Sequence, residues 1–260
     1  MDIIIFGGQS NMQGQTECVP ENNAPVKGAL EYKFCTNELV ALRHPVGEDL
    51  RGEKWCAAAH LGHGGLVPAF CKEYILQTGR EVIAIHAAKG NTVLGDWLHG
   101  TQYAYHARRK IENGIKKAKE KGEIEHIYYV WLQGESDAVI GTTKNEYIER
   151  ITEYKNRLRL DCGIEKFCII KVGYFCAVNK WYERTLNSHE HGKKCDEVIM
   201  AAQQKLPSVD SDFVMLTDIA PRLSLLEDYQ NLEALGHYNN EGYRLIGEAA
   251  GVALAGIAKG

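Results

Sequence analysis

The sequence lacks the long apolar runs and the charge excess that would tie it to a membrane or to a nucleic acid. No stretch of its 260 residues approaches the roughly 20 apolar residues needed to cross a bilayer. Met1-Asp2 leads straight into an apolar segment, and from this start we expect no secretory signal. The net charge is -4 and the charges are spread along the chain. We therefore expect a cytoplasmic protein without a membrane or nucleic acid partner.

Cysteine pairs with metal-ligand spacing are also missing. The 8 cysteines are irregularly spaced, and none forms a Cys-x-x-Cys pair. This spacing argues against the common structural zinc motifs and against a thioredoxin-type redox pair. We predict reduced, mostly buried thiols and no metal or other cofactor.

Two well-known glycine motifs are absent from the turn after the first apolar run. Ile3-Ile4-Ile5-Phe6 is followed by Gly7-Gly8-Gln9-Ser10-Asn11-Met12. Met12 stands where the Gly-x-Ser-x-Gly nucleophile elbow requires its second glycine, and no complete phosphate loop follows. The turn nevertheless places a serine where a buried strand ends. A flavodoxin-like nucleotide binder remains an alternative, and only the glycines of this turn support it.

Apolar, β-rich segments alternate with segments of helical periodicity along the chain. This alternation predicts parallel pairing with right-handed crossovers, and hence a three-layer α/β/α sandwich with a parallel, flavodoxin-like five-stranded sheet. We predict one domain over residues 1–260, with binding walls or lids in the irregular regions 13–59 and 179–194. The predicted strands are 3–6, 82–86, 127–132, 167–172 and 213–216, and the predicted helices are 66–77, 104–121, 144–158, 195–204 and 240–258.

A serine, an acid and a histidine lie in this order at predicted strand ends and in a late loop. Ser10 is the candidate nucleophile, and His237 is the candidate general base because the pKa of histidine lies near neutrality. Glu135, after the third strand, is the first choice for the acid that orients the histidine, and Glu233 is the second. Taken singly, Glu135 also fits a helix N-terminal carboxylate and His237 a structural histidine.

Acyl transfer also requires hydrogen-bond donors for a developing oxyanion. The backbone N–H of Ser10 is one candidate. Gly90 follows the second strand and could present a backbone N–H with no side chain in the way. Gln133 follows the third strand and could add its side-chain amide.

These motifs resemble the SGNH-hydrolase (GDSL-like) superfamily, and within it the branch of sialate O-acetylesterases and acetylxylan esterases, carbohydrate esterase family six. The matching blocks are Gly8-Gln9-Ser10-Asn11-Met12, Lys89-Gly90-Asn91 with Trp97, Gln133-Gly134-Glu135-Ser136-Asp137, and His237 with Gly242. The resemblance implies a metal-independent serine esterase that removes O-acetyl groups from a carbohydrate, through an acyl-enzyme on Ser10 with His237 as general base. It also implies oxyanion donors at Ser10, Gly90 and Gln133, and a supporting role for Glu135.

One position departs from the superfamily pattern. Ala234 stands where members commonly carry an aspartate, three residues before the histidine. Either Glu135 or Glu233 supplies the carboxylate, or a Ser-His dyad works with its imidazole oriented by a backbone carbonyl.

The alternative function is a non-catalytic carbohydrate- or anion-binding module on the same fold. Ala234 and the aromatic residues Trp181 and Tyr182 favour it. Trp97 and Trp181 are candidate stacking platforms for a sugar ring. The sequence does not specify which acetylated sugar would be the substrate.

Overall fold

The central sheet has seven strands in the computed structural model, which describes residues 1–57, 63–179 and 188–259. The strands, including a separate two-stranded hairpin, are β1 (Asp2–Gly8), β2 (Ala29–Lys33), β3 (Glu38–Ala41), β4 (Glu48–Arg51), β5 (Lys54–Ala57), β6 (Val82–Ala88), β7 (Ile127–Leu132), β8 (Lys166–Ile170) and β9 (Phe213–Thr217). The sheet order is β3-β2-β6-β1-β7-β8-β9, and β4 pairs with β5. All neighbours in the large sheet are parallel except β2 and β3.

The five predicted strands are all present, and they follow the flavodoxin-like order 2-1-3-4-5. The predicted number of strands was wrong, because β2 and β3 extend one edge of the sheet from within region 13–59. Their apolar signal is weak for a physical reason. β2 carries the buried Glu31, whose charge is balanced by Lys33 at 2.8 Å, and β3 is a four-residue edge strand with exposed ends.

The helices that join these strands form two groups. The longer helices match the predicted ones, and the helix predicted from Cys195 begins earlier, where the Ser188 side chain accepts a hydrogen bond from the His191 N–H at 3.0 Å. The helices are α1 (Ser10–Gln13), α2 (Val67–Thr78), α3 (Gln102–Lys121), α4 (Glu135–Ile140), α5 (Lys144–Cys162), α6 (His189–Val209), α7 (Ala220–Leu223) and α8 (Asn240–Ala258). α2 packs against α8, whereas α5 packs against both α3 and α6. Among the described helices, none combines the length and apolarity required for a membrane span.

The core lies on both faces of β1, which is buried over its whole length. Trp97 is 1% exposed and packs edge-on against Trp131, with ring centroids 5.5 Å apart. Trp97 is therefore a core residue and cannot stack on a sugar, whereas Trp181 lies outside the described residues. All eight cysteines are free thiols, and four of them are buried.

Candidate active site

The end of β1 can be built only with glycine, and this turn positions the candidate nucleophile. Gly8 has φ +138°, and a Cβ there would lie 2.0 Å from the Leu132 carbonyl oxygen. The chain therefore passes directly against β7 before it enters α1 at Ser10. As the first residue of a helix, Ser10 has a backbone N–H without an intrahelical acceptor.

Ser10 and His237 are 227 positions apart and meet in the folded chain. Ser10 Oγ lies 2.8 Å from His237 Nε2, and His237 Nδ1 lies 2.9 Å from the Ala234 carbonyl oxygen. Since a carbonyl can only accept, Nδ1 carries the proton and Nε2 is left to accept the proton of the Ser10 hydroxyl. Burial lowers the pKa of His237, although the bond to Ala234 acts in the opposite direction. The imidazole is thus neutral near pH 7, as a general base must be.

Neither candidate acid makes a hydrogen bond or an ion pair with the His237 ring within the described part of the chain. Glu233 is exposed. Glu135 is 2% exposed, and its Oε1 accepts a hydrogen bond from Asn11 Nδ2 at 2.7 Å. The geometry therefore matches the dyad with a carbonyl-oriented imidazole, the arrangement that Ala234 left open.

Glu135 nevertheless connects to the histidine loop through one intermediate side chain. Asn11 Nδ2 also donates to the Gly236 carbonyl at 3.1 Å, and Asn11 Oδ1 accepts from the Tyr243 hydroxyl at 2.8 Å. The second carboxylate oxygen of Glu135 is buried without a hydrogen-bond partner among the described residues. Burial raises the pKa of Glu135 to about 7, against the lowering effect of Asn11.

The position of the Gln133 side chain argues against its predicted role as an oxyanion donor. Gln133 is fully buried, and its amide nitrogen lies 3.0 Å from the Thr92 carbonyl and within hydrogen-bond distance of Asp137. The end of β7 was located correctly, but the amide points into the core, where it fastens the Thr92 backbone.

Gly90 lies beside Ser10 as predicted, but its N–H already has an acceptor. A Cβ at Gly90 would lie 3.5 Å from Ser10 Cβ. The Gly90 N–H donates to Gln13 Oε1 at 2.7 Å. It can therefore serve an oxyanion only after the Gln13 side chain has moved away.

Sequence reasoning missed Asn91, which lines the same cavity as Ser10 and His237. Asn91 has φ +58°, an uncommon conformation for a residue with a side chain, and it is exposed. Its side-chain amide makes no hydrogen bond to any described residue. The signal was present, since Asn91 directly follows Gly90 at the end of a strand.

The cavity above Ser10 has a volume of about 320 Å³. Region 13–59 supplies part of its wall, including Gln15 and the buried Asp49, whose carboxylate lies 2.9 Å from Lys89 Nζ. Of region 179–194, residues 180–187 lie outside the described residues. The cavity is lined by Gln9, Ser10, Gln13, Gln15, Asp49, Lys89, Gly90, Asn91, Ser136, Phe175 and His237.

Residues 1–223 match the model of a carbohydrate esterase family, described as sialic acid-specific acetylesterase. This chain belongs to that family. No curated protein sequence matches this member of the family.

Solved structures with low sequence identity share the fold of this acetylesterase family member. A protein from Arabidopsis thaliana superposes with a TM-score of 0.70 at 18% identity, covering 99% of this chain and 98% of its own. NanS gives 0.66 at 11% identity, with coverages of 100% and 98%. A carbohydrate acetylesterase from Xanthomonas citri gives a TM-score of 0.60 at 18% identity. That match covers 99% of this chain and 57% of the Xanthomonas citri chain.

Proposed function

We propose that this protein removes O-acetyl groups from a carbohydrate through an acetyl-enzyme on Ser10, with His237 as general base. The main support for the proposal is a chain of two hydrogen bonds. Ser10 Oγ lies 2.8 Å from His237 Nε2, and His237 Nδ1 lies 2.9 Å from the Ala234 carbonyl oxygen. Membership of a carbohydrate acetylesterase family supports the same reaction class. A pure binding module has no need for a serine hydroxyl aligned on a neutral imidazole.

In the first half-reaction, Ser10 Oγ attacks the acetyl carbonyl carbon while His237 Nε2 takes the hydroxyl proton. The Ala234 carbonyl accepts a hydrogen bond from Nδ1–H and so stabilises the imidazolium that forms. The tetrahedral adduct then breaks its bond to the sugar oxygen, which leaves with the proton from Nε2. In the second half-reaction a water molecule attacks acetyl-Ser10 by the same proton route, which releases acetate and restores the hydroxyl.

The oxyanion of each tetrahedral adduct needs donors that Gln133 cannot supply. We assign this role to the Ser10 N–H and to the Asn91 side-chain amide, which lines the cavity without another partner among the described residues. The Gly90 N–H is a third donor once Gln13 releases it. Losing one such donor typically costs about 3 kcal/mol of transition-state stabilisation.

Glu135 and Asn11 have a positioning role in this mechanism. Asn11 ties the Gly236 carbonyl, next to the general base, to α1, which carries the nucleophile. Glu135 fixes the rotamer of Asn11 by accepting from the same amide group. The pair holds His237 at bonding distance from Ser10 without touching its ring.

The walls of the cavity fit a polar acetyl ester. Gln15, Asp49 and Lys89 offer donors and acceptors for sugar hydroxyls, and about 320 Å³ accommodates an acetyl group with one sugar unit. The family description favours an O-acetylated sialic acid over acetylxylan as substrate.

The test is hydrolysis of p-nitrophenyl acetate, O-acetylated sialic acid and acetylxylan by the wild type, Ser10→Ala and His237→Ala. Circular dichroism verifies that each variant is folded. Both variants should lose about a thousandfold or more in kcat, whereas the control Ser208→Ala, an exposed serine on α6, should match the wild type. Absence of wild-type hydrolysis, together with no labelling by a serine-directed fluorophosphonate, would instead support the binding module.

A further inference from the structure

A second cavity, of about 710 Å³, is larger than the one above Ser10 and shares none of its lining residues. Its walls come from residues 97–109 around the start of α3, from residues 154–161 of α5, and from Glu53 in the turn between β4 and β5. This volume is in the range of sites that hold small ligands.

The charges around this cavity are unevenly paired. Asp161 Oδ2 forms ion pairs with two arginines, at 2.7 Å from Arg157 Nε and 3.4 Å from Arg108 Nη1. Arg109 makes no ion pair with a described residue, and its guanidinium lies 5.6 Å from the centre of the Tyr105 ring. Arg108 also pairs with Glu112, at 3.5 Å between Nε and Oε1, so Arg109 is the arginine of this wall whose charge no described carboxylate balances. The N-terminus of the 20-residue helix α3 adds further positive potential.

The wall of this cavity also contains a buried histidine ring. His106 is 6% exposed and lines the cavity, and within the described chain its ring nitrogens make no hydrogen bond. Burial and the nearby Arg109 lower the pKa of His106, so the ring is neutral near pH 7 and offers one donor and one acceptor. Beside it, the Tyr105 ring is 49% exposed.

We propose that this cavity binds an acidic saccharide, with its carboxylate at Arg109 and the α3 N-terminus and its ring against Tyr105. An exposed aromatic face beside polar groups suits a sugar ring, and a guanidinium matches a carboxylate in geometry. Asp161 and Glu53 accept hydrogen bonds from sugar hydroxyls. The same two carboxylates disfavour a phosphate dianion more strongly than a carboxylate monoanion. The site is independent of Ser10 and does not rest on the proposed function.

The experiment titrates the intact protein with sodium glucuronate and with glucose, which differ only in the carboxylate, and follows binding by saturation-transfer NMR. Glucuronate should bind, and it should bind equally to the wild type and Ser10→Ala. Glucose should bind at least about tenfold more weakly, since it lacks the charge-assisted bond.

Arg109→Gln and Tyr105→Ala change exposed side chains of α3 and should each weaken glucuronate binding about tenfold or more. The matched control, Arg222→Gln, changes an exposed arginine on α7 and should bind like the wild type. The proposal is overturned if glucuronate does not bind, if glucose binds equally, or if Arg109→Gln has no effect. It is also overturned if covalent modification of Ser10 abolishes binding, which would place the sugar in the other cavity. No ester is used, so a failed esterase assay leaves this result intact.

Discussion

The sharpest prediction concerns Glu135, whose carboxyl is buried with one oxygen lacking a partner among the described residues. Its pKa rises from 4.5 to about 7 in the folded protein. The folded state therefore binds a proton more tightly than the unfolded chain, and stability falls as pH rises through this window. Integrated between pH 5 and pH 8, this difference is worth about 2–3 kcal/mol.

Glu135→Gln removes the titration and keeps an amide oxygen that can accept the bond from Asn11. The wild type loses about 2–3 kcal/mol of its free energy of unfolding through this titration as pH rises from 5 to 8, and the variant does not. The stability of the variant relative to the wild type should therefore increase by this amount over the same pH range. Urea unfolding at both pH values measures this double difference, and effects of groups that do not interact with Glu135 cancel in it. The control is Glu233→Gln, an exposed glutamate for which no pH-dependent difference is expected.

The same variant tests the assignment of roles in the site. As a positioning residue behind Asn11, Glu135 should tolerate glutamine with less than about a tenfold loss of kcat on p-nitrophenyl acetate. If the difference in free energy of unfolding between the variant and the wild type were the same at pH 5 and pH 8, the argument for a buried carboxyl with a raised pKa would be refuted. A kcat loss of several orders of magnitude would show that the ionised carboxylate supports His237 directly.

Three further predictions concern the site. The acidic limb of the kcat/KM profile should have its midpoint below 6.5, because burial lowers the pKa of His237 and keeps it neutral as pH falls; a midpoint above 6.5 would contradict this environment. Gln133→Leu should destabilise the fold by about 1–3 kcal/mol in urea, because it removes the side-chain donor of the Thr92 carbonyl and one of the hydrogen bonds to Asp137. It should change kcat less than about tenfold, and a hundredfold kcat loss would show that Gln133 is an oxyanion donor after all. Gln13→Met should free the Gly90 N–H and raise kcat up to about fivefold, whereas a tenfold fall would show that Gln13 holds the Gly90 loop in its working position.

The sequence predicted five of the seven strands and missed β2 and β3, which lie together at one end of the sheet. Each of the five predicted strands is a short apolar run, as expected in a parallel sheet that helices cover on both faces. β2 and β3 escaped detection because β2 buries the charged Glu31 beside Lys33 and β3 is short and partly exposed. Burial of a charge depends on its partner, and the partner becomes evident only when the chain has folded.

For the candidate site, the sequence by itself predicted which residues lie near one another. Glycines and polar residues at the ends of apolar runs are local features, and they predicted that Ser10 and Gly90 lie at the same edge of the sheet. The order of serine, acid and histidine along the chain added His237 as a candidate. Only the tertiary structure decided how the donors and acceptors pair. In the folded chain, His237 Nδ1–H donates a hydrogen bond to the Ala234 carbonyl and the Gly90 N–H donates to Gln13. The Gln133 amide donates to Thr92 and Asp137. Hydrogen bonds extend over about 3 Å and depend on direction, so the pairing of groups from distant segments is fixed by packing.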